Sequence, residues 1–430
     1  MAIFSPLGKI LEKIVYEQLY SYFTSNKLFH PNLHGYRQNR STQTALLQMY
    51  DRWVRASHNS QVTGVVLLDL SAAFDLVDHH LLLQKLELYG LDRNFQEWIA
   101  SYLTGRNQAV WIDHCYSTFL QCNVGVPQGS NLGPLFFLIF YNDLPYSLNC
   151  EIDAYADDST MSASGGNVVR IGENLTENCA KVSHWMKENK LKLNADKTHL
   201  LTVGTSQRVA GLPHSLEVEM DGIRLQESLD KCEVLLGVQI QHSLKWHRTI
   251  EDLQGKLKKR LAGLTKLRSI VPYFMLKTIT QGLFNSVLIY CLPLFGGCDK
   301  NQLSNIQVLQ NKAAQVVTRS PPRSVRNTMY EKLDWLTVNQ LISYHTLIQV
   351  YKIRTSGEPE YLSDELRNDN RSGHIIIPNS DLTLAMKSFT FRGANLWNTL
   401  PAHIRNCPKI GVFKKETRKW VKNMVPRFLD

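Results

Sequence analysis

Asp69 ends a β-branched and leucine run, Val62-Thr63-Gly64-Val65-Val66-Leu67-Leu68, that holds no other charge. A strand of that kind is buried on both faces, so its carboxylate emerges at an edge or a cleft. Asp157 and Asp158 follow 88 residues later, between Ile152-Asp153-Ala154-Tyr155 and Ser159-Thr160-Met161, the pattern of a tight hairpin with an acidic turn. Strands of one sheet could bring the three carboxylates together. Left alone they would repel one another and raise their own pKa values, so a divalent cation is the natural neutraliser. Hard oxygen ligands select Mg²⁺ or Mn²⁺. Two such ions about 3.5–4 Å apart can activate a hydroxyl and stabilise a departing pyrophosphate in an in-line displacement. Taken singly, an Asp-Asp pair in a turn is ordinary, because Asp tolerates turn geometry.

The elements that must position these groups can be read from the apolar pattern. Ile10, Leu11, Ile14, Leu19 and Tyr22 predict a helix over 10–23, and a second spans about 41–54 behind the turn-like His34-Gly35-Tyr36-Arg37. Residues 77–103 predict helices broken at Gly90, and 108–124 two short strands turning near Asp113. A loop, Gly125-Val126-Pro127-Gln128-Gly129-Ser130, leads into an apolar helix over about 132–142. A further helix over about 172–191, a strand over 199–203 and strands near 215–225 and 233–240 complete a mixed part. Beyond 246 the pattern turns helical, with Ile250, Leu253, Leu257, Leu261, Leu264 and Leu267 in one stripe and Lys256, Lys258, Lys259 and Arg260 around it. Residues 278–298 predict a buried core helix rather than a membrane span, and 355–382 a linker or loop.

Composition sets the class. The chain has 430 residues, 43% of them hydrophobic and 20% charged, which excludes disordered and collagenous proteins. Forty-eight Lys and Arg against 38 Asp and Glu leave a formal +10, suited to a polyanionic partner. Residues 247–270 carry seven basic and two acidic side chains, and 401–430 eight and two. Either run can equally be a solvated helix face. Eight cysteines without a C-x-x-C pair predict reduced thiols and no zinc knuckle. The N-terminus lacks the basic and apolar regions of a signal peptide, which predicts an intracellular protein.

Order then adds what single motifs lack. Leu68-Asp69-Leu70-Ser71-Ala72-Ala73-Phe74-Asp75, then 125–130, then Tyr155-Ala156-Asp157-Asp158, then Leu193-Asn194-Ala195-Asp196-Lys197-Thr198 resembles the reverse transcriptase of non-long-terminal-repeat (LINE-type) retrotransposons. The resemblance covers at least 7–242. It implies an α+β right-hand polymerase of fingers, palm and thumb with an antiparallel palm sheet. Fingers and palm fall in 1–245, a helical thumb-like region in 246–320, and a mostly helical C-terminal region of unassigned role in 321–430.

The resemblance makes Asp69, Asp157 and Asp158 the metal ligands for two Mg²⁺ or Mn²⁺ ions. Lys197 resembles the fourth-motif lysine that serves the pyrophosphate. Phe74 matches the bulky gate against a ribose 2′-hydroxyl, while Asp75 orders the turn. Pro127, Gln128 and Gly129 match the loop beside the incoming dNTP and template base. Arg37 and, more weakly, Arg40 are the candidate triphosphate contacts, since a guanidinium binds phosphate oxygens bidentately. Leu236 and Gly237, in Glu233-Val234-Leu235-Leu236-Gly237, resemble the primer grip, and Lys256, Lys259 and Arg260 fall where a thumb tracks the backbone of RNA template and DNA primer.

Two departures accompany it. The block that usually precedes Leu7–Val15 is replaced by Met1-Ala2-Ile3-Phe4-Ser5-Pro6, implying a fingers region cut short. The N-terminal endonuclease usual in such elements has no room here. The expected function is an RNA-directed DNA polymerase, nuclear when acting on chromosomal DNA. The competing readings are a catalytically inactive nucleic-acid-binding remnant and a maturase-like splicing cofactor.

Overall fold

The computed structural model describes residues 5–194, 197–321, 324–367, 373–377 and 383–424. Residues 1–4 of the leader, Ala195 and Asp196 of the fourth motif, 368–372 and 378–382 of the expected linker, and 425–430 of the basic tail lie outside the described residues. The chain forms two compact units. The first comprises Met1–Thr42, Thr63–Thr202 and Leu212–Ser228; the second comprises Gln43–Val62, Val203–Gly211 and Leu229–Asp430.

The first unit is built on a four-stranded sheet in the order His199–Val203, Val62–Leu68, Asp158–Gly165, Glu151–Tyr155. The last two form an antiparallel hairpin with Tyr155 opposite Asp158. Against the sheet lies the helix Val168–Glu188, opened by the Asn167 side chain, which accepts from the Val169 N–H. Its Ile171, Leu175, Cys179, Val182 and Met186 make the buried stripe. Gly64 lets this helix come close, because a Cβ there would sit 2.7 Å from Leu175 and 2.9 Å from Ile171. The helix Leu132–Tyr141 is apolar all round, which only a position inside the core permits; every residue but Pro134 is buried. The first helix, Pro6–Ser25, buries Val15, Leu19 and Phe23 but leaves Leu7, Ile10, Leu11 and Ile14 exposed.

Residues 107–121 form four short strands rather than two. Asn107–Gln108 pairs with Leu120–Gln121, and Trp111–Ile112 with Cys115–Tyr116, around a turn in which Asp113 and His114 both take positive φ. Trp111, Tyr116 and Phe119 stack in sequence yet remain exposed.

The second unit is mostly helical. Thr42–His58 buries its Tyr50, whose hydroxyl donates to the Leu244 carbonyl at 2.8 Å and whose ring packs on Trp246. His247–Leu267 packs on Lys300–Thr318, and Val338–Ser356 on Ile410–Met424. The expected core helix over 278–298 is instead broken into pieces: a π turn spans Gln281–Asn285, and Cys291 takes φ +52° ahead of the Pro293-bearing turn. The expected linker contains a helix, Glu360–Glu365. Among the described residues no helix is long and apolar enough to cross a membrane. Charge divides sharply, with 15 Lys and Arg against 22 Asp and Glu in the first unit and 33 against 16 in the second.

Candidate active site

The sheet decides where Asp69 stands. The hydroxyls of Thr63 and Ser164 lie 2.7 Å apart, near the start of one strand and the end of its neighbour, so the two strands run antiparallel. Equal steps forward from Thr63 and back from Ser164 lead Asp69 to the end of the sheet that carries Asp158. Asp157 is the neighbouring turn residue, after Ala156 at φ +59°. The three carboxylates share one field: the Asp158 carboxyl is pushed up by partial burial and then by Asp157 and Asp69. That is the self-repulsion a dication would relieve. Hard oxygen donors fit Mg²⁺ or Mn²⁺, with part of the coordination shell left to substrate phosphates. Among the described residues no three His, Cys, Asp or Glu side chains are gathered into a ready-made metal cage.

The backbone around Asp69 is fixed by the fourth motif. The Asn194 N–H donates to the Asp69 carbonyl at 2.9 Å, and Leu70 and Ser71 pair with Leu193 and Lys192. Lys197 begins the next turn, its N–H bonded to the Asn194 carbonyl at 3.1 Å and its side chain exposed. Hence Lys197 is carried on the segment that clamps Asp69.

A second clamp comes from residues 32–35, which run beside the strand Glu151–Tyr155. The His34 N–H donates to Ala154 O at 2.7 Å, and the Ala154 N–H to Asn32 O at 3.0 Å. Gly35 touches the acidic turn itself; a Cβ there would lie 2.4 Å from the Ala156 nitrogen. The buried His34 and Asp153 side chains meet at 3.3 Å beneath the turn, and burial holds the imidazole pKa down against the attraction of Asp153. Tyr36 lies within the field of Asp157, which adds to burial in raising its phenol pKa.

Both candidate arginines are engaged with their own loop. Arg37 donates to His30 O at 2.9 Å and Leu33 O at 3.3 Å and lies over the Phe29 ring. Arg40 donates to Pro31 O and Leu33 O. Their first task is to order the loop, and a phosphate would draw on the other guanidinium N–H groups.

Phe74 is half-buried, stacked on Phe137 with centroids 4.5 Å apart and edge-on to Tyr36 at 6.0 Å. The loop 125–130 is laced to its backbone: Val126 N–H to Phe74 O at 2.9 Å, and Gly125 N–H to Val77 O at 2.8 Å. Gly125 is required here, since its φ is +84° and a Cβ would approach the Asp75 carbonyl to 2.7 Å. Gln128 donates from Nε2 to both Asp75 oxygens, at 2.9 and 3.1 Å. Pro127 is buried, with its carbonyl taking the Ser130 hydroxyl at 2.7 Å, while Gln128 and Gly129 are exposed. The first unit therefore brings together the aspartates, Phe74, the 125–130 loop and the arginine loop.

The remaining candidates belong to the second unit. Leu236 and Gly237, both at positive φ, turn the hairpin Cys232–Leu235/Val238–Gln241, and Tyr290 donates its hydroxyl to Leu236 O at 2.6 Å. Lys256, Lys259 and Arg260 are exposed on His247–Leu267, opposite the buried Leu253, Leu257 and Leu264; Lys256 also pairs with Asp252 at 2.6 Å.

Sequence reasoning missed the supports: the His34–Asp153 pair, Tyr36, Asn194 and the Gln128–Asp75 link. The turn-like His34-Gly35 was the one available signal.

Residues 1–247 match the reverse transcriptase (RNA-dependent DNA polymerase) family. The chain is 26% identical to the probable RNA-directed DNA polymerase from transposon BS of Drosophila melanogaster, over 80% of this chain and 39% of that protein. It is 24% identical to the RNA-directed DNA polymerase from mobile element jockey of the same species, over 74% and 35%. The chain thus spans well under half the length of these curated relatives. Among solved structures, apo telomerase from Candida tropicalis aligns over 96% of this chain and 60% of that chain, with 11% identity and a TM-score of 0.42. The motif order, the antiparallel hairpin that carries Asp157 and Asp158, and the match over more than half the sequence agree, and the chain belongs to the reverse transcriptase family, among those of non-LTR retrotransposons.

Proposed function

We propose that this chain adds dNTPs to a DNA primer 3′-end on an RNA template. The observation that supports this most is the convergence of Asp69 with Asp157 and Asp158 at one end of a shared sheet. Two Mg²⁺ or Mn²⁺ ions held there by Asp69, Asp157 and Asp158 would supply activation of the attacking hydroxyl and charge stabilisation at the leaving pyrophosphate. The protein's own groups do the placing. Phe74 presents a ring, braced by Phe137, where the sugar of the nucleotide is to lie. Gln128, held by Asp75, and Gly129 offer an exposed edge to the base. Lys197 supplies positive charge for the phosphates. In the second unit, Leu236 and Gly237 meet the primer and Lys256, Lys259 and Arg260 the backbone of the hybrid. As an element acting on chromosomal DNA, it would work in the nucleus beside an endonuclease.

Primer extension on a homopolymer RNA with Mg²⁺ or Mn²⁺ tests the reading. Asp157→Asn is expected to lower incorporation by at least ~100-fold, the order that loss of one electrostatic stabiliser costs. One observation favours the second reading, a binding remnant without catalysis: Arg37 and Arg40 serve their own loop. Folded protein that binds hybrid but incorporates nothing would establish that second reading.

A further inference from the structure

Phe74 has little local structure to hold it. It lies in the one-turn segment Ala73–Asp75, entered through Ala72 at φ +49°, and is half-buried. A wall that must turn away a single hydroxyl works by not moving, because an apolar pocket that can adjust rejects an added hydroxyl poorly. Phe137 covers one face of the ring, with the two planes 26° apart. Stacking restrains a ring along its normal and leaves sliding in its own plane open.

Tyr36 supplies a second restraint. Its ring meets that of Phe74 at 87°, with centroids 6.0 Å apart, the edge-to-face arrangement that aromatic pairs favour. Tyr36 is no core residue, being 43% exposed, and it takes φ +57°, a backbone conformation that bulky side chains seldom adopt. Tethers on both sides impose it. The His34 N–H is bonded to Ala154 O at 2.7 Å, the Gln38 N–H donates to the Tyr20 hydroxyl at 2.8 Å, and Gly35 abuts the Ala156 nitrogen. Strain of this kind persists where the surroundings over-determine it, as they do at ligand clamps. The contact of Gly35 also sets Tyr36 beside the acidic turn, and burial and then Asp157 raise its phenol pKa accordingly.

We infer that Tyr36 is a positioning residue for sugar selection: its ring pins Phe74 against Phe137, and through Phe74 it sets the preference for deoxyribose over ribose nucleotides. Phe74 remains the group that meets the sugar. The inference rests on the polymerase reading for its substrate, and on the Phe137–Phe74–Tyr36 packing for its place.

Single-nucleotide extension opposite a template cytidine, with dGTP against GTP, tests it on the full chain. Tyr36→Asn removes the ring and tolerates the left-handed backbone. It is expected to narrow the dGTP-over-GTP preference in kcat/KM about three- to tenfold, chiefly through a lower KM for GTP. Tyr36→Phe keeps the ring and should give the wild-type ratio. In a Phe74→Ala background Tyr36→Asn should change the ratio no further, because the side chain through which it acts is gone. Tyr36→Leu, apolar but without an aromatic edge, repeats the measurement should the Asn variant unfold. A ringless variant that keeps the wild-type ratio, or slows both nucleotides alike, overturns the inference while extension by the wild type leaves the polymerase reading standing. Should the wild type extend no primer, the preference is read instead as equilibrium binding of dGTP and GTP, with Mg²⁺, to protein on a dideoxy-terminated hybrid. There, a preference for dGTP that Tyr36→Asn abolishes upholds the role of Tyr36 while the polymerase reading falls; a wild type that binds both equally removes the two together.

Discussion

At the scale of single residues, the site is a balance of repulsion and support. Asp158 holds its proton more tightly in the fold than when unfolded, so its ionised form opposes folding as pH rises above the ordinary carboxylate range. Asp158→Asn should therefore stabilise the metal-free protein at neutral pH, seen as a higher melting temperature. It should also shrink the stabilisation that added Mg²⁺ gives the wild type; an unchanged Mg²⁺ response in thermal melts would dissociate Asp158 from the ion site. Phe74→Ala should raise incorporation of ribonucleotides relative to dNTPs by at least ~10-fold. Single-nucleotide kinetics decide this, because mere loss of the Phe137 stacking partner would slow both substrates alike. The carboxylates stood out by their type and placement in the chain, whereas Phe74 was singled out only through the resemblance. The work of Arg37 and Arg40 within their own loop was not legible, because carbonyl partners leave no trace in side-chain identity.

At the scale of elements, the acidic hairpin was readable as a hairpin but its turn is Ala156-Asp157, with Asp158 already paired to Tyr155 on the strand, in the register that keeps Ile152 and Met161 buried. The 107–121 ribbon was less so: its strands are two residues long and exposed, and no buried face imposes a period. The break at Cys291 was missed because an uncharged run reads as continuous; Pro293 was its signal. None of this reveals the contact of Gly35 with the turn. Gly35→Ala would force a Cβ against the Ala156 nitrogen, which belongs to backbone and cannot swing aside. Denaturant titration should show a loss of about 1–3 kcal/mol, the usual cost of overpacking. Because that strain falls on the residue beside Asp157, extension activity should fall further than stability alone explains.

At the scale of the whole molecule, half-buried histidines shape the acid limb. His345 and His30 are both brought down to about 4, chiefly by burial. Such groups take up protons on unfolding once pH drops below about 6.5, so the stability they allow is present above that value and drains away as pH falls toward 4. Asp51, pushed up to about 6 by burial, works in the opposite sense over part of the same range. His345→Gln should flatten the decline in stability between about pH 6.5 and 4, by up to ~1.4 kcal/mol per pH unit, as read from denaturant titrations across that range. A variant curve parallel to that of the wild type would show that His345 takes no part. The charge division was invisible in the total: the +10 of the chain combines an acidic unit with a strongly basic one, and only the fold says which segments count together. Those segments are interleaved. The polypeptide passes from one unit to the other after Thr42, Val62, Thr202, Gly211 and Ser228. No one cut separates the two: ending the chain at Ser228 keeps the first unit with two stray pieces of the second, and starting it at Leu229 strips the second of those same two pieces, so serial deletion will report breakage as well as location.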